Sequence, residues 1–289
     1  MQTARLRLEL GLLLAMCASL SMVSPVHAWD TRDTFANGDK SMFSFEWHSG
    51  LVIVPVRING STALSFVLDT GSTRMLIDRR IARDLGLRTS GTGTLQGAGA
   101  GQIPIEFIQD ISLDLPGVKS AGYEFSTADL QSLQESVGTK VDGILGYEFF
   151  RRFVVTIDYE RKELIVTRPD AFHSGEAAQA LPIELKNKWA FVKAEIALPG
   201  PVTVQDSFLI DSGSSDAVDH PIVMKLESRK STTSGVGLGS PVEGATAQAT
   251  ALRLGRYEVK GPTVACCGGA EATSKLVGSD VLRFFTVNF

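Results

Sequence analysis

The sequence predicts a mostly β protein built from two homologous lobes with a cleft between them. Three observations lead there. Phe66-Val67-Leu68-Asp69-Thr70-Gly71-Ser72 returns as Phe208-Leu209-Ile210-Asp211-Ser212-Gly213-Ser214. Around each copy lie short runs rich in β-branched and aromatic residues, bounded by turn residues, as strands are. After each aspartate the same features follow in the same order: a glycine-dense tip, an apolar-apolar-glycine step, a short amphipathic stretch and a strand. A unit this long, present twice, indicates paired lobes, whereas a solenoid needs about three or more shorter units.

The chain has 289 residues and opens with Arg5 and Arg7, an apolar run from Leu10 to Val23, and Val26-His27-Ala28. A basic start, an apolar middle and a small-residue exit predict a signal peptide over 1–28. Export to the periplasm or beyond the cell would follow, with no stable membrane anchor once the signal is removed. A retained membrane anchor is the weaker reading, because the apolar run falls short of about 18 to 20 residues. Lipid attachment at Cys17, within Leu14-Ala15-Met16-Cys17, is weaker still, because Met16 is bulky for the site before the cysteine. Residues 29–48 read as an N-terminal extension.

The first lobe is expected over 49–168. Leu51 to Ile58 is strand-like, and Asn59-Gly60 is a strong hairpin turn before the run Ala63 to Leu68 that delivers Asp69. Asn59-Gly60-Ser61 is also a glycosylation sequon, but the flanking strands require a turn there. Asp78 to Leu87 suits a short helix ending near Gly86. The stretch Gly91 to Gly101 is dense in glycine between strand-like arms, so it reads as a hairpin whose tip residues Gly97, Gly99 and Gly101 are flap candidates; a plain flexible loop is the alternative. Gln96 and Gln102 break any dinucleotide fingerprint. Val141-Asp142-Gly143-Ile144-Leu145-Gly146, a short helix from Tyr147 to Phe153, and strands Val154 to Tyr159 and Glu163 to Thr167 complete the lobe.

Residues 169–188 are polar and alanine-rich and read as a linker. The second lobe, 189–289, repeats the plan. Trp189 to Ala197 matches the strand at Leu51, and Ser207 to Ile210 delivers Asp211. Gly235, Gly237 and Gly239 form the second candidate flap tip. Lys275-Leu276-Val277-Gly278 matches Gly143 to Gly146, Ser279 to Phe285 the short helix, and Thr286 to Phe289 the strand after it.

Lys and Arg total 28 against 32 Asp and Glu, with both signs scattered, so the basic face that nucleic-acid binding requires is missing. Of three cysteines, Cys17 would leave with the signal, and the adjacent Cys266 and Cys267 could be two thiols or one vicinal disulfide. A disulfide framework is excluded for want of partners. His48, His173 and His220 are expected at the surface or as caps, and no metal or cofactor is expected. Trp47 and Trp189 are expected in the core or between lobes, and Asp216 and Asp219 as helix-start caps. Neither G-x-S-x-G nor H-E-x-x-H occurs.

Two close carboxylates cannot both ionise easily, so a pair sharing one proton offers a base and an acid together. Gly71 and Gly213 allow the backbone to turn and pack closely beside the carboxylates. Thr70 and Ser212 can hydrogen-bond between the lobes, and Ser72 and Ser214 can donate to the carboxylates. These residues resemble the pepsin and retropepsin clan of aspartic proteases, over roughly Leu51 to Phe289. Gly143 to Phe150 and the terminal Thr286 to Phe289 look most like bacterial retropepsin-like proteins. The resemblance implies an aspartic endopeptidase with Asp69 and Asp211 as a catalytic dyad under the flaps, acting on an extended peptide. Because both aspartates lie on one chain, a monomer suffices for the dyad. Departures are the lack of a flap tyrosine in either glycine-rich segment, a second lobe without the strand that follows Tyr159, and an extension short for an inhibitory pro-segment. The alternative is a peptide-binding protein that keeps this fold without turnover.

Overall fold

The computed structural model describes residues 31–97, 101–175, 178–234, 242–267 and 275–289. The stretch read as an export signal, and Gly99, Gly235, Gly237 and Gly239, lie outside the described residues. Among the described residues the strands form three sheets, of nine, ten and four strands.

The nine-stranded sheet builds the first lobe. Near its centre Leu64–Leu68, the strand that runs into Asp69, lies antiparallel to Leu51–Ile58 and parallel to Gly143–Leu145. A strand flanked on both edges and covered on both faces needs apolar residues throughout. Phe66, Val67 and Leu68 are accordingly buried, with Phe66 edge-on to Phe125 at 6.2 Å. Each such side chain contributes about 1.5 to 3 kcal/mol on burial. The ten-stranded sheet repeats the arrangement: Thr203–Asp211 lies between Trp189–Ala197 and the parallel strand Leu276–Gly278, with Phe208 and Ile210 buried.

The four-stranded sheet joins the two lobes. Its order is Lys40–Ser44, Glu163–Thr167, Val154–Asp158, Thr286–Asn288, so a strand of the second lobe closes a sheet begun by the first. Thr156 faces Asn288, and their side chains hydrogen-bond at 2.6 Å. The stretches read as an extension and a linker thus supply strands: Thr34–Phe35, Lys40–Ser44, Glu46–His48 and Ile183–Lys186.

Local chemistry explains the connections. Asn59 and Gly60 both have positive φ, 49° and 77°, the conformation a tight two-residue hairpin demands. The Asn59 side chain is engaged, accepting from the Ser112 N–H at 2.9 Å and its hydroxyl at 3.0 Å. The helix Arg79–Asp84 starts where the Asp78 carboxylate accepts from the Arg80 N–H at 2.8 Å, and the chain turns away at Gly86. One helix, Gln131–Val137, was not foreseen. Leu130, Leu133 and Val137 carry the helical spacing and pack against Leu76 and Ile144 in the first-lobe core.

Candidate active site

Each aspartate emerges where its buried strand ends. The Asp69 N–H donates to the Leu145 carbonyl at 3.0 Å, which ties the loop to the apolar-apolar-glycine strand beside it. That strand must then cross under the loop. A methyl group on Gly146 would lie 2.7 Å from the Ser72 carbonyl, and one on Gly278 would lie 2.9 Å from the Ser214 carbonyl, so neither position accepts a larger residue without displacement. The next N–H donates back to the same carbonyl in each lobe: Tyr147 to Ser72 at 2.9 Å and Ser279 to Ser214 at 2.8 Å.

The two loops bring Asp69 and Asp211 face to face within hydrogen-bonding reach. Gly71 packs on the opposite carboxyl; a methyl group there would lie 2.5 Å from the Asp211 carboxyl carbon. Gly213 packs as tightly on Asp69. Asp69 Oδ1 accepts from the Gly71 and Ser72 N–H groups at 2.8 and 3.0 Å, and Asp211 Oδ1 accepts from the Gly213 N–H at 2.8 Å.

Thr70 and Ser212 lock the loops reciprocally. Thr70 Oγ1 donates to the Ile210 carbonyl at 2.7 Å and accepts from the Ser212 N–H at 2.9 Å. Ser212 Oγ donates to the Leu68 carbonyl at 2.9 Å and accepts from the Thr70 N–H at 3.1 Å. Both residues are buried. Ser279 adds a bond from its hydroxyl to the Ser212 carbonyl at 3.0 Å.

Ser72 and Ser214 act differently from expectation. The Ser72 hydroxyl donates to the Arg74 carbonyl at 2.9 Å, and the Ser214 hydroxyl accepts from the Asp216 N–H at 3.2 Å. Both hydroxyls brace their own turns, while main-chain N–H groups serve the carboxylates. A short side chain leaving a tight turn finds local backbone partners first.

Burial pushes the Asp69 carboxyl well above the usual range, and the neighbouring Asp211 charge pushes it further; the Gly71 and Ser72 N–H groups pull the other way. Burial likewise raises Asp211, against the lowering effect of the Gly213 N–H. A third carboxyl belongs to this field. Asp219 is buried, with its Oδ1 unpartnered, and burial followed by the charges of Asp216 and Asp211 pushes it up to about 7. Among the described residues, then, neither Asp219 nor Asp216 caps a helix. The helical turn Pro221–Lys225 is capped by His220, whose Nδ1 accepts from the Ile222 N–H at 3.1 Å.

The first candidate flap is a hairpin of Thr92–Gln96 and the long strand Gln102–Leu115, with Gly101 at φ 94° beyond the last strand pair. Gly97 stands at its other shoulder. In the second lobe Lys230–Ser234 pairs with Val242–Gln248, and the tip between them lies outside the described residues. Trp189 does stand between lobes: its indole N–H donates to the Gly71 carbonyl at 2.7 Å. Trp47 packs edge-on to Tyr159 at 5.3 Å. The link from Trp189 to Gly71 joins residues far apart in sequence, and no local pattern announces it. Among the described residues no group of three or more His, Cys, Asp or Glu side chains could hold a metal ion.

The sequence model of the aspartyl protease family matches residues 54–149. A search of curated proteins finds no match. Among solved structures, similarity is found to a retropepsin-like aspartic protease from Rickettsia conorii, at 18% identity over 45% of this chain and 90% of that one, with a TM-score of 0.31. Similarity is also found to Basic 7S globulin from soybean, at 9% identity over 87% of this chain and 92% of that one, with a TM-score of 0.49. The family match runs through Asp69, Thr70, Gly71 and Gly146, and the second lobe repeats that architecture around Asp211. Over residues 54–149 the first lobe is thus similar to the aspartyl protease family.

Proposed function

We propose that the protein is an exported aspartic endopeptidase in which Asp69 and Asp211 activate water for peptide-bond hydrolysis. The reciprocal lock of Thr70 and Ser212 carries this reading, since it holds two carboxyls in mutual contact, a costly arrangement that only a shared proton relieves.

With one proton between them, the ionised carboxyl removes a proton from water as its oxygen attacks the scissile carbonyl carbon. The protonated carboxyl gives its proton to the carbonyl oxygen. Collapse of the tetrahedral intermediate then breaks the C–N bond, with a proton passing from the pair to the leaving nitrogen. Main-chain N–H groups on Asp69 and Asp211 hold the carboxyl planes in place during this exchange. The hairpin over Thr92–Gln96 would cover an extended peptide, which such sites bind by strand-like pairing.

Asp69→Asn and Asp211→Asn should each lower the cleavage rate of a peptide library by about 100- to 10,000-fold, as loss of a general acid or base does. Undiminished turnover in either variant would sink the mechanism. Cleavage after Ala28, read by N-terminal sequencing of the protein recovered outside the cytoplasm, tests export.

A further inference from the structure

The pseudo-twofold relation between the lobes makes two cavities comparable. One, of about 380 Å³, is lined by Thr73, Arg74, Glu148, Arg151 and Lys188 among others. The second, of about 290 Å³, is lined by Ser215, Asp280, Arg283 and Gly50 among others. Thr73 and Ser215 each follow the Asp-x-Gly-Ser turn. Glu148 with Arg151, and Asp280 with Arg283, each form an ion pair three residues apart just after the crossing glycine, at 2.9 and 2.8 Å. These are the same cavity built twice, one beside each dyad loop.

Their charges differ. The first cavity brings five cationic side chains against two carboxylates, Glu124 and Glu148. The second has one ion of each sign. The divergence is sharpest at one pair of equivalent positions. Arg74 and Asp216 both place their carbonyls against the crossing glycine of their own lobe, yet one is a cation and the other an anion.

The cationic cavity draws its lining from both sides of the molecule, with Arg74 just past the Asp69 loop and Lys188 just before Trp189. The Arg74 guanidinium lies 5.2 Å from the Phe107 ring centre, between the dyad loop and the stem of the first hairpin. Its nearest carboxylate, Glu124, is 3.7 Å away, beyond hydrogen-bonding distance. Lys188 comes from the other lobe, on a turn held by positive φ at Asn187 and Lys188, next to the Trp189 whose indole grips Gly71. Lys188 reaches Glu148 at 3.1 Å and keeps two further donors on its ammonium. An incoming carboxylate would thus meet two cations with spare donor capacity, placed by rigid backbone at a fixed offset from Asp69.

We infer that the substrate is an extended peptide with an acidic side chain at one fixed position, seated between Arg74 and Lys188. The uneven charge also fixes the direction in which the peptide crosses a nearly symmetric cleft. The inference rests on the peptide-cleaving reading for its site, but its test does not need turnover.

Matched peptides carrying Asp or Asn, and Glu or Gln, at each position along a cleaved sequence should be compared for kcat/KM with the unaltered protein. The same peptides should be compared for Kd with the Asp69→Asn variant. The acid should be preferred about tenfold at one position only, the size expected for one charged hydrogen bond. The preference should shrink as salt rises, because the pocket is partly solvent-exposed. The pair Arg74→Gln and Lys188→Gln should bring the ratio to about one, and Arg74→Glu with Lys188→Glu should turn it toward lysine, which loss of packing alone would not do. Equal use of acid and amide at every position, an unchanged ratio in the doubly substituted proteins, or no peptide binding at all would overturn the inference. If peptides bind with the stated preference but are never cut, the hydrolytic mechanism fails and the specificity stands.

Discussion

Trp189 of the second lobe donates its indole N–H to the carbonyl of Gly71 at 2.7 Å, two residues beyond Asp69 in the first lobe. One strand start therefore touches the loop that carries the opposite aspartate. Trp189 is 38% exposed, so the bond is a modest contributor to stability and a strong constraint on position. Trp189→Phe keeps the ring and removes the donor. Its cost should be about 0.5 to 1.5 kcal/mol, a fall in Tm of a few degrees for a chain of this size. Cleavage should fall more than that stability loss explains, and thermal melts with steady-state kinetics separate the two.

The lock between Thr70 and Ser212 makes a second prediction. Thr70→Val leaves the Ser212 N–H and the Ile210 carbonyl without partners, and Ser212→Ala does the same to the Thr70 N–H and the Leu68 carbonyl. Each should cost about 2 to 4 kcal/mol, since buried groups lose partners. The double variant should cost less than the sum, because one broken side loosens the other. Denaturant titration of the four proteins measures the coupling, and strict additivity would contradict a shared lock.

Gly71→Ala addresses close approach directly. The added methyl group would press on the Asp211 carboxyl. A displacement near 1 Å at a reacting group costs about a hundredfold in rate. The variant should fold, retain the circular dichroism spectrum of the unaltered protein and lose cleavage by about that factor or more.

The pH dependence of stability has a sign that can be read from the site. Asp69, Asp211 and Asp219 all have carboxyls raised above their unfolded values. In the interval between the ordinary value of 3.8 and the raised one, the folded state binds more protons than the unfolded state, so stability falls as pH rises. For Asp219 the loss runs up to about pH 7. Asp219→Asn should remove that part of the slope, leaving the variant relatively more stable at pH 8 than at pH 4 when compared with the unaltered protein. Asp78 gives the opposite control. It is buried, but hydrogen bonds from Arg80 and the Leu130 N–H hold its carboxyl below the ordinary value. Its contribution is present above 3.8 and disappears as pH falls through the folded value. Thermal melts from pH 3 to pH 8 would expose both trends, and a flat difference for Asp219→Asn would refute the assignment.

Much of this molecule is legible in its sequence because the signals are local or repeated. The turn at Asn59-Gly60, the strand Leu51–Ile58 and the helix cap at Asp78 follow from residues within a few positions of one another. The facing of Asp69 and Asp211 was readable only through duplication, since one copy gives no reason for a distant partner. What was missed is non-local or depends on burial. Ser72 and Ser214 could serve either a carboxylate or their own turn, and turn geometry decides. Asp216 and Asp219 have the composition of helix caps, but the neighbouring His220 takes that role and Asp219 faces inward. The strands at Lys40–Ser44 and Ile183–Lys186 lie in polar sequence, where pairing partners rather than apolar periodicity make the strand.

The lock beneath the dyad is built without a titratable atom. Hydroxyls, amides and carbonyls make all four bonds between Thr70, Ser212 and the opposite loops. The carboxyls above it change charge with pH; the frame that aims them does not. Acidity thus sets how many protons the pair holds while the two halves stay registered, so the carboxyls have a dial and the scaffold has none.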